Sequence, residues 1–529
     1  MNMKGLLSET IGELLEKRAV LTPDAVGLCS QERSYTWKEA NEISDFWAAG
    51  FIKKGISNGV HVALWGVNSP EWVMVYFALM KSGAVAVPIN TCYKEQELVR
   101  VLKEVNITVL FYGRNCESED YGPIIDKAGL LKPDSFVKEV VYLGNLPDWK
   151  DGLNPEEDKR ILRETKEHFS SNDTANILFT SGTSGIPRGV MLSHKNLVNN
   201  SAQMVLSMHW NEKDRMCLSV PLFHCFGITA GILAAVHAGA AIYMNQFYKS
   251  VKVMENIQKN SCTILNGVPS MFLAMVKNDK RSKYDLSSLK SGIIAGSAIH
   301  PSDYKRICEE LKMEHLQPSY GQTESSPAIT MTGYGDPVCQ KALTAGEKIP
   351  FTELRIWDEA TKSLAKPGSI GEIQSRGYHI MKGYYNRMEE TKKALDEEGW
   401  LHTGDCGYLD DAGHLYITGR KKEMIIRGGE NIAPVEIENC IMEISKIRDV
   451  KVVGIKAEVL QEEIAACIIT EPGKEISEEE VKEYVRLKLA DYKVPKYVCQ
   501  FDSFPFGDSG KVIASELKKE VEKRFVKRS

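Results

Sequence analysis

The chain has 529 residues, of which 43% are hydrophobic and 26% charged, and a formal net charge of −5 at pH 7. Such a length supplies several domain-sized cores, and the near-balanced charge argues against nucleic acid as a partner. Twelve cysteines are scattered without one C-x-x-C pair, the usage of reduced thiols in a cytosolic protein rather than of a disulfide framework.

Cys217, Cys225, Cys262 and Cys467 stand in apolar surroundings and are expected to be buried. The N-terminus shows no basic region followed by an apolar run, and the last three residues, Lys527-Arg528-Ser529, form no clear address. A cytoplasmic protein is expected.

Thr36-Trp37-Lys38-Glu39 is a capping box, and Ala40, Ile43, Trp47 and Phe51 then share one helical face until Gly55 stops it. Residues 60–65 predict a strand, 70–81 a helix, 84–88 a strand, 95–105 a helix and 107–111 a strand. This alternation is the mark of an α/β fold. The charged, proline-containing stretch 146–168 looks like a connection, and 175–179 begins a new strand. No internal repeat is present.

Residues 178–190, LFTSGTSGIPRGV, place Thr180, Ser181, Thr183, Ser184, three glycines and Arg188 in a turn between two strand-like runs. Glycines let backbone N–H groups form a nest around an anion, hydroxyls add donors, and a guanidinium grips two phosphate oxygens. The Walker spacing is absent. A flexible Ser/Gly hairpin is the bland alternative.

Residues 216–248 carry no Asp, Glu, Lys or Arg, and 227–244 is long enough for a membrane span. His237, three glycines and many alanines favour a buried helix between sheets, so no transmembrane segment is expected.

Five further clusters follow. Pro221 to Gly227 holds His224 among aromatics, where a core histidine is the bland reading. Tyr320-Gly321-Gln322-Thr323-Glu324 follows Ala295-Gly296-Ser297-Ala298; an aromatic beside glycine offers a base a stacking face, and the carboxylate suits Mg²⁺. Thr403-Gly404-Asp405 offers one carboxylate to two ribose hydroxyls. The last two are 419–431, GRKKEMIIRGGEN, and 505–511, PFGDSGK.

Taken together and in this order, the six motifs resemble the adenylate-forming superfamily of acyl-CoA synthetases, luciferases and peptide synthetase adenylation domains. The resemblance runs from about Val60 to Lys511 and is closest to the AMP-forming acyl-CoA synthetases. It implies a large multi-subdomain α/β N-terminal unit (1–421) that binds ATP and the acyl group. A small mobile α+β domain (422–529) would then carry a catalytic lysine and the thiol-tunnel loop. Strand-like 450–455 and 464–469, a charged helix over 477–489 and a basic tail fit that second unit.

By the same resemblance, Thr180, Ser181, Gly182, Thr183, Ser184, Gly185 and Arg188 cradle the ATP phosphates. Gly296, Ser297, Ala298, Tyr320 and Gly321 form the adenine slot, Thr323 bonds the α-phosphate and Glu324 binds Mg²⁺. Asp405 and Arg420 hold the ribose, and Lys511 reaches the α-phosphate and the reacting carboxylate. Lys422 is the hinge, and Gly428 and Gly429 line the pantetheine tunnel for coenzyme A. His224 sits at the mouth of an acyl pocket floored by Phe226, Thr229, Asn266, Val268, Ser297, Gly321 and Pro327. Asn266 is able to bond a hydroxyl on the acid.

The chain departs from the family pattern in three places. Arg188 stands where lysine is usual, Lys348 and Phe351 stand where proline and glycine are usual, and Val512-Ile513-Ala514 follow Lys511 without a basic residue. Amino-acid-activating relatives place an aspartate just after the His224 position. Here Cys225, Phe226, Gly227 and Ile228 offer no charge, so a fatty, aryl or polycyclic acid is expected. The activity implied is an ATP-dependent, AMP-forming carboxylate:CoA ligase. Its rivals are a ligase loading a carrier-protein thiol, a luciferase-like oxygenase and a catalytically silent nucleotide-binding homologue.

Overall fold

The computed structural model of the chain describes residues 5–114, 121–146, 154–180, 187–421, 423–427, 430–457, 461–506 and 512–525. It divides into two compact units, residues 1–354 with 375–402, and residues 355–374 with 403–529. The expected boundary at 421/422 lies inside the second unit. There the helix Pro434–Met442 packs on the strand Leu415–Arg420.

The first unit is built on two sheets. In the seven-stranded sheet the four consecutive strands Val85–Pro88, His61–Trp65, Val109–Tyr112 and Glu139–Tyr142, the last of them at the edge, are mutually parallel, as the β-α-β alternation requires. In the nine-stranded sheet the strands Arg215–Leu218, Ala241–Met244, Ile264–Leu265, Ser291–Ile294 and His315–Gly321 run parallel. Period-two alternation gives each sheet two apolar faces: Val62 and Leu64 enter one core, Ala63 and Trp65 another. Likewise Met216 and Leu218 face the first core while Cys217 faces a third.

The core shared by the inner faces of both sheets is filled by helices that are apolar almost all round. In Pro70–Ser82 every residue except Glu71 is buried. Its ends are set by Ser69, whose hydroxyl accepts from the Trp72 N–H, and by Gly83 at φ +78°. The uncharged stretch that matched a membrane span in length forms a π-helix, Gly227–Leu233, running into the α-helix Ala234–Ala238, with every residue buried. Gly239 in the left-handed region stops it, and the last residues of the stretch form the strand Ala241–Met244 rather than more helix. Among the described residues no helix is long and apolar enough to cross a membrane.

Two elements differ from the sequence reading. Stretch 146–168, read as a connection, contains the helix Pro155–Lys166, capped by Asn154, with three acidic residues in its first turn and Arg163 and Lys166 in its last. The helix Ile11–Leu21, with its own Thr10–Glu13 capping box, was not expected. Cys217, Cys225, Cys262 and Cys467 are all buried.

The second unit holds most of the residues of a sheet ordered Ser363–Leu364, Thr352–Asp358, Gly371–Gly377, Leu401–Leu409, Leu415–Arg420. Beyond it, the long hairpin Ile447–Ala457 and Gln461–Thr470 carries Tyr497–Gln500 in parallel on one side and is covered by the helices Pro434–Met442, Glu478–Lys488 and Ala514–Phe525.

Candidate functional site

Because five strands of the larger sheet are parallel, the loops that leave their C-terminal ends emerge at one edge, where open α/β sheets bind ligands. His224 and Phe226 follow Arg215–Leu218; Asn266 and Val268 follow Ile264–Leu265. Gly296, Ser297 and Ala298 follow Ser291–Ile294, and Tyr320 and Gly321 end His315–Gly321. Neighbouring strands pair Ile294 with Pro318, so the 295–298 and 319–323 segments leave side by side. Gly296 takes φ +89°, and a Cβ there would lie 3.0 Å from Val268 Cγ1; its conformation and this close approach both favour glycine. Ser297 and Ala298 are exposed.

His224 is exposed and its ring lies 4.3 Å from that of Phe223. The turn that carries it is held by buried Asn68, whose amide donates to Val220 O and Asn245 O and accepts from the Leu222 N–H. A Cβ on Gly227 would sit 2.2 Å from Pro221 O, so this turn closes only around a glycine. Behind His224, Cys225 lies 3.5 Å from Thr229 Oγ1, and burial, with Glu324 nearby, pushes its thiol up to about 12. It is a neutral packing group there. Asn266 is buried, donating to Ala230 O at 2.8 Å and accepting from Ile293 N–H at 2.9 Å. These two bonds tie the π-helix to the sheet.

In the seven-stranded sheet, Thr180 and Arg188 are cross-strand partners at the end of an antiparallel hairpin. Thr180 Oγ1 and Arg188 Nε are buried without a hydrogen-bond partner among the described residues. Buried donors left unpaired among the described residues are what a site for an anion requires. Ser181, Gly182, Thr183, Ser184 and Gly185, like Lys422, Gly428, Gly429 and Lys511, lie outside the described residues.

The two sheets meet at Glu324. Its carboxylate is buried and accepts from Tyr384 Oη–H at 2.8 Å, and its backbone carbonyl accepts from Met381 N–H. Tyr384 belongs to the short strand Gly383–Tyr384 that pairs with Arg188–Ser193. The 377–385 segment thus stitches the phosphate-type hairpin to the Tyr320–Glu324 loop. Pro327, which follows Ser326 in the left-handed region, closes that loop.

In the second unit Asp405 and Arg420 are directly paired across antiparallel strands, Nε to Oδ1 at 3.3 Å. Thr403 Oγ1 accepts from the Asp405 N–H, and Gly404 at φ +72° makes the turn. The carboxylate is nearly buried while the guanidinium stays mostly exposed.

The sequence reading missed the residues that hold these loops. Asn200 donates to Ala328 O at 3.0 Å and Ser325 O at 3.4 Å and accepts from Ala328 N–H at 3.3 Å. Asn196 donates to Tyr378 O and Ile380 O. Asn200→Ala leaves three buried backbone groups without this partner, and a loss of about 2–4 kcal/mol is expected in urea unfolding. An unchanged midpoint would show that the 325–328 turn does not depend on Asn200.

Sequence comparison supplies the family. The family described as "AMP-binding enzyme" matches residues 15–385, and its C-terminal domain matches residues 436–511. The chain belongs to the AMP-binding enzyme family. It is 38% identical to YngI of Bacillus subtilis (strain 168), a provisionally named acyl-CoA synthetase, over 99% of both chains. It is 33% identical to the mitochondrial medium-chain acyl-CoA ligase ACSF2 of Homo sapiens, over 99% of this chain and 89% of that one. Among solved structures, a Mycobacterium tuberculosis fatty acyl CoA synthetase aligns with TM-score 0.74 at 27% identity, covering 97% of this chain and 99% of that one. The anthranilate CoA ligase AuaEII, solved with anthranoyl-AMP, shares the fold at TM-score 0.82 and 23% identity, over 97% of each chain.

Proposed function

We propose that this AMP-forming acid:CoA ligase activates an apolar carboxylic acid, in the first place a fatty acid of medium chain length. The observation that carries the substrate class is the uncharged turn behind His224. Cys225 is a neutral thiol, Thr229 is spent on it, and Phe226, Ile228 and Val268 add apolar surface. An α-ammonium placed there would meet no carboxylate from this turn. The full-length similarity to the medium-chain ligase named above supports the chain length.

A carboxylate is a poor electrophile, so it first attacks the α-phosphorus of ATP and expels pyrophosphate; a thiol then attacks the resulting acyl-adenylate. In this reading Thr180, Ser181–Gly185 and Arg188 hold the β- and γ-phosphates, Tyr320 with Gly296–Ala298 and Gly321 receives the adenine, and Thr323 and Lys511 bond the α-phosphate. Asp405 accepts from the ribose hydroxyls with Arg420 beside it. His224 guards the passage between acyl pocket and thiol.

Magnesium fits Glu324. The carboxylate is buried, one oxygen is held by a phenol, and no Lys or Arg among the described residues lies within 4.0 Å, while Mg²⁺ uses one or two carboxylates plus phosphate oxygens and water. When bound it neutralises charge on the phosphates. Glu324 contributes a fixed anionic ligand, and Arg188 a cation aimed at the same phosphates.

Two outcomes test the reading. With ATP, Mg²⁺, CoA and octanoate, the products are AMP, pyrophosphate and octanoyl-CoA; ADP and phosphate in their place would overturn the ligase chemistry. In a pyrophosphate-exchange panel, fatty acids outrun free amino acids by 100-fold or more. Neighbouring chain lengths differ less, since one methylene supplies only about 1–3 kcal/mol. An amino acid as the best substrate, or transfer to a carrier-protein thiol but not to CoA, would contradict the proposal.

A further inference from the structure

We propose that Tyr384 is a positioning residue that fixes the two charged groups of the phosphate site at once, Arg188 by its ring face and Glu324 by its hydroxyl. The proposal rests on the ligase reading for the roles of those two groups, and on the geometry below for Tyr384.

The backbone of Tyr384 is rigidly placed. The neighbouring residues bond the strand that carries Arg188, Lys382 N–H donating to Met191 O and Tyr385 N–H to Gly189 O. Tyr384 N–H itself donates to Thr391 Oγ1. Gly383 takes φ +138°, and a Cβ there would lie 2.8 Å from Thr391 Cγ2, so the close approach to the helix Met388–Ala394, which carries Thr391, favours glycine.

From that base the phenol, 5% exposed, reaches Glu324 Oε1 at 2.8 Å. The Arg188 guanidinium carbon lies 4.5 Å from the ring centroid.

The two contacts leave complementary capacity. A guanidinium held over a ring face is attracted to it without an acceptor being spent on its N–H groups. Arg188 Nε is buried without a partner among the described residues, and the approach of Nη1 to Glu390 is 3.7 Å, too long for a hydrogen bond. A carboxylate whose Oε1 accepts from one donor has Oε2 left for a second partner. The arrangement also gives a reason for arginine at 188: a lysine ammonium is a compact, freely rotating charge that does not present a flat face to stack.

The experiment separates the two contacts. Tyr384→Phe keeps the ring and deletes the hydroxyl; Tyr384→Leu deletes both. Binding of α,β-methylene-ATP is followed by calorimetry in EDTA, and binding of Mn²⁺ in the presence of that analogue by electron paramagnetic resonance. Steady-state adenylate formation is titrated with Mg²⁺. Phe is expected to bind the analogue in EDTA within about twofold of wild type. It should need about tenfold more Mn²⁺ or Mg²⁺ for half-saturation, the scale of one hydrogen bond to a charged group. Leu is expected to lose a further fivefold or more in metal-free affinity for the analogue.

A Phe variant with unchanged metal dependence overturns the proposal, as do Phe and Leu variants equal in every binding measurement. Failure of the wild-type chain to bind the analogue at all would instead overturn the ligase reading.

Discussion

Lys511→Ala is expected to lose adenylate formation by about 10² to 10³, the size of deleting one group that stabilises transition-state charge, yet to convert supplied acyl-adenylate to acyl-CoA at near the wild-type rate. Lys511 ends the P-F-G-D-S-G-K motif at the close of the C-terminal family match, residues 436–511. In the proposed mechanism its charge is needed only while pyrophosphate departs. Gly429, in the R-G-G-E motif, is proposed to flank the thiol's path, so Gly429→Leu should show the opposite pattern. Feeding each variant first octanoate with ATP, then synthetic octanoyl-adenylate with CoA, makes the comparison, and thermal melts check that the domain stays folded. Equal losses in both half-reactions for both variants would end the idea that the two loops divide the labour about a pivot at Lys422.

Gly321→Ala is expected to damage both half-reactions together. A Cβ there would lie 1.8 Å from Pro327 O and 3.0 Å from Ile329 N. These are backbone atoms, so no side-chain rotation relieves the overlap, and the strand Ala328–Met331 must retreat by an ångström or more. That strand begins where Gly321 pairs with Ala328, and the turn between them carries Thr323, Glu324 and Pro327. Displacement of that order costs about 10²-fold in rate, and the crowding costs about 3 kcal/mol of stability. Gly335→Ala is the control, since a Cβ there meets nothing within 4 Å. Activity of Gly321→Ala within fivefold of wild type in both half-reactions would show that the geometry of this turn does not limit the chemistry.

The family's motifs and the α/β alternation were legible in the sequence because each rests on local chemistry. Glycines with hydroxyls and a cation announce an anion loop, and apolar periodicity announces the elements that bury it. The helix Pro155–Lys166 was equally legible: Asn154, Pro155, the acidic first turn and the basic last turn are complete end signals, outweighed in reading by the charge of the stretch.

What tertiary structure alone decided is where polar side chains on core elements point. Asn196, Asn199, Asn200 and Gln203 recur at helical spacing on His194–Met208, and such a polar stripe reads as a solvated face. In the structure all four are buried, and Asn196 and Asn200 hold the 378–380 and 325–328 loops.

Tyr384 gave no local sign either, because its two partners are 60 and 196 residues away in sequence, at Glu324 and Arg188. By itself the sequence nominated the groups that the proposed chemistry would use. Which neutral residues fix those groups was decided only when two sheets closed on one core, since buried hydrogen-bonding groups must find partners wherever the packing brings them.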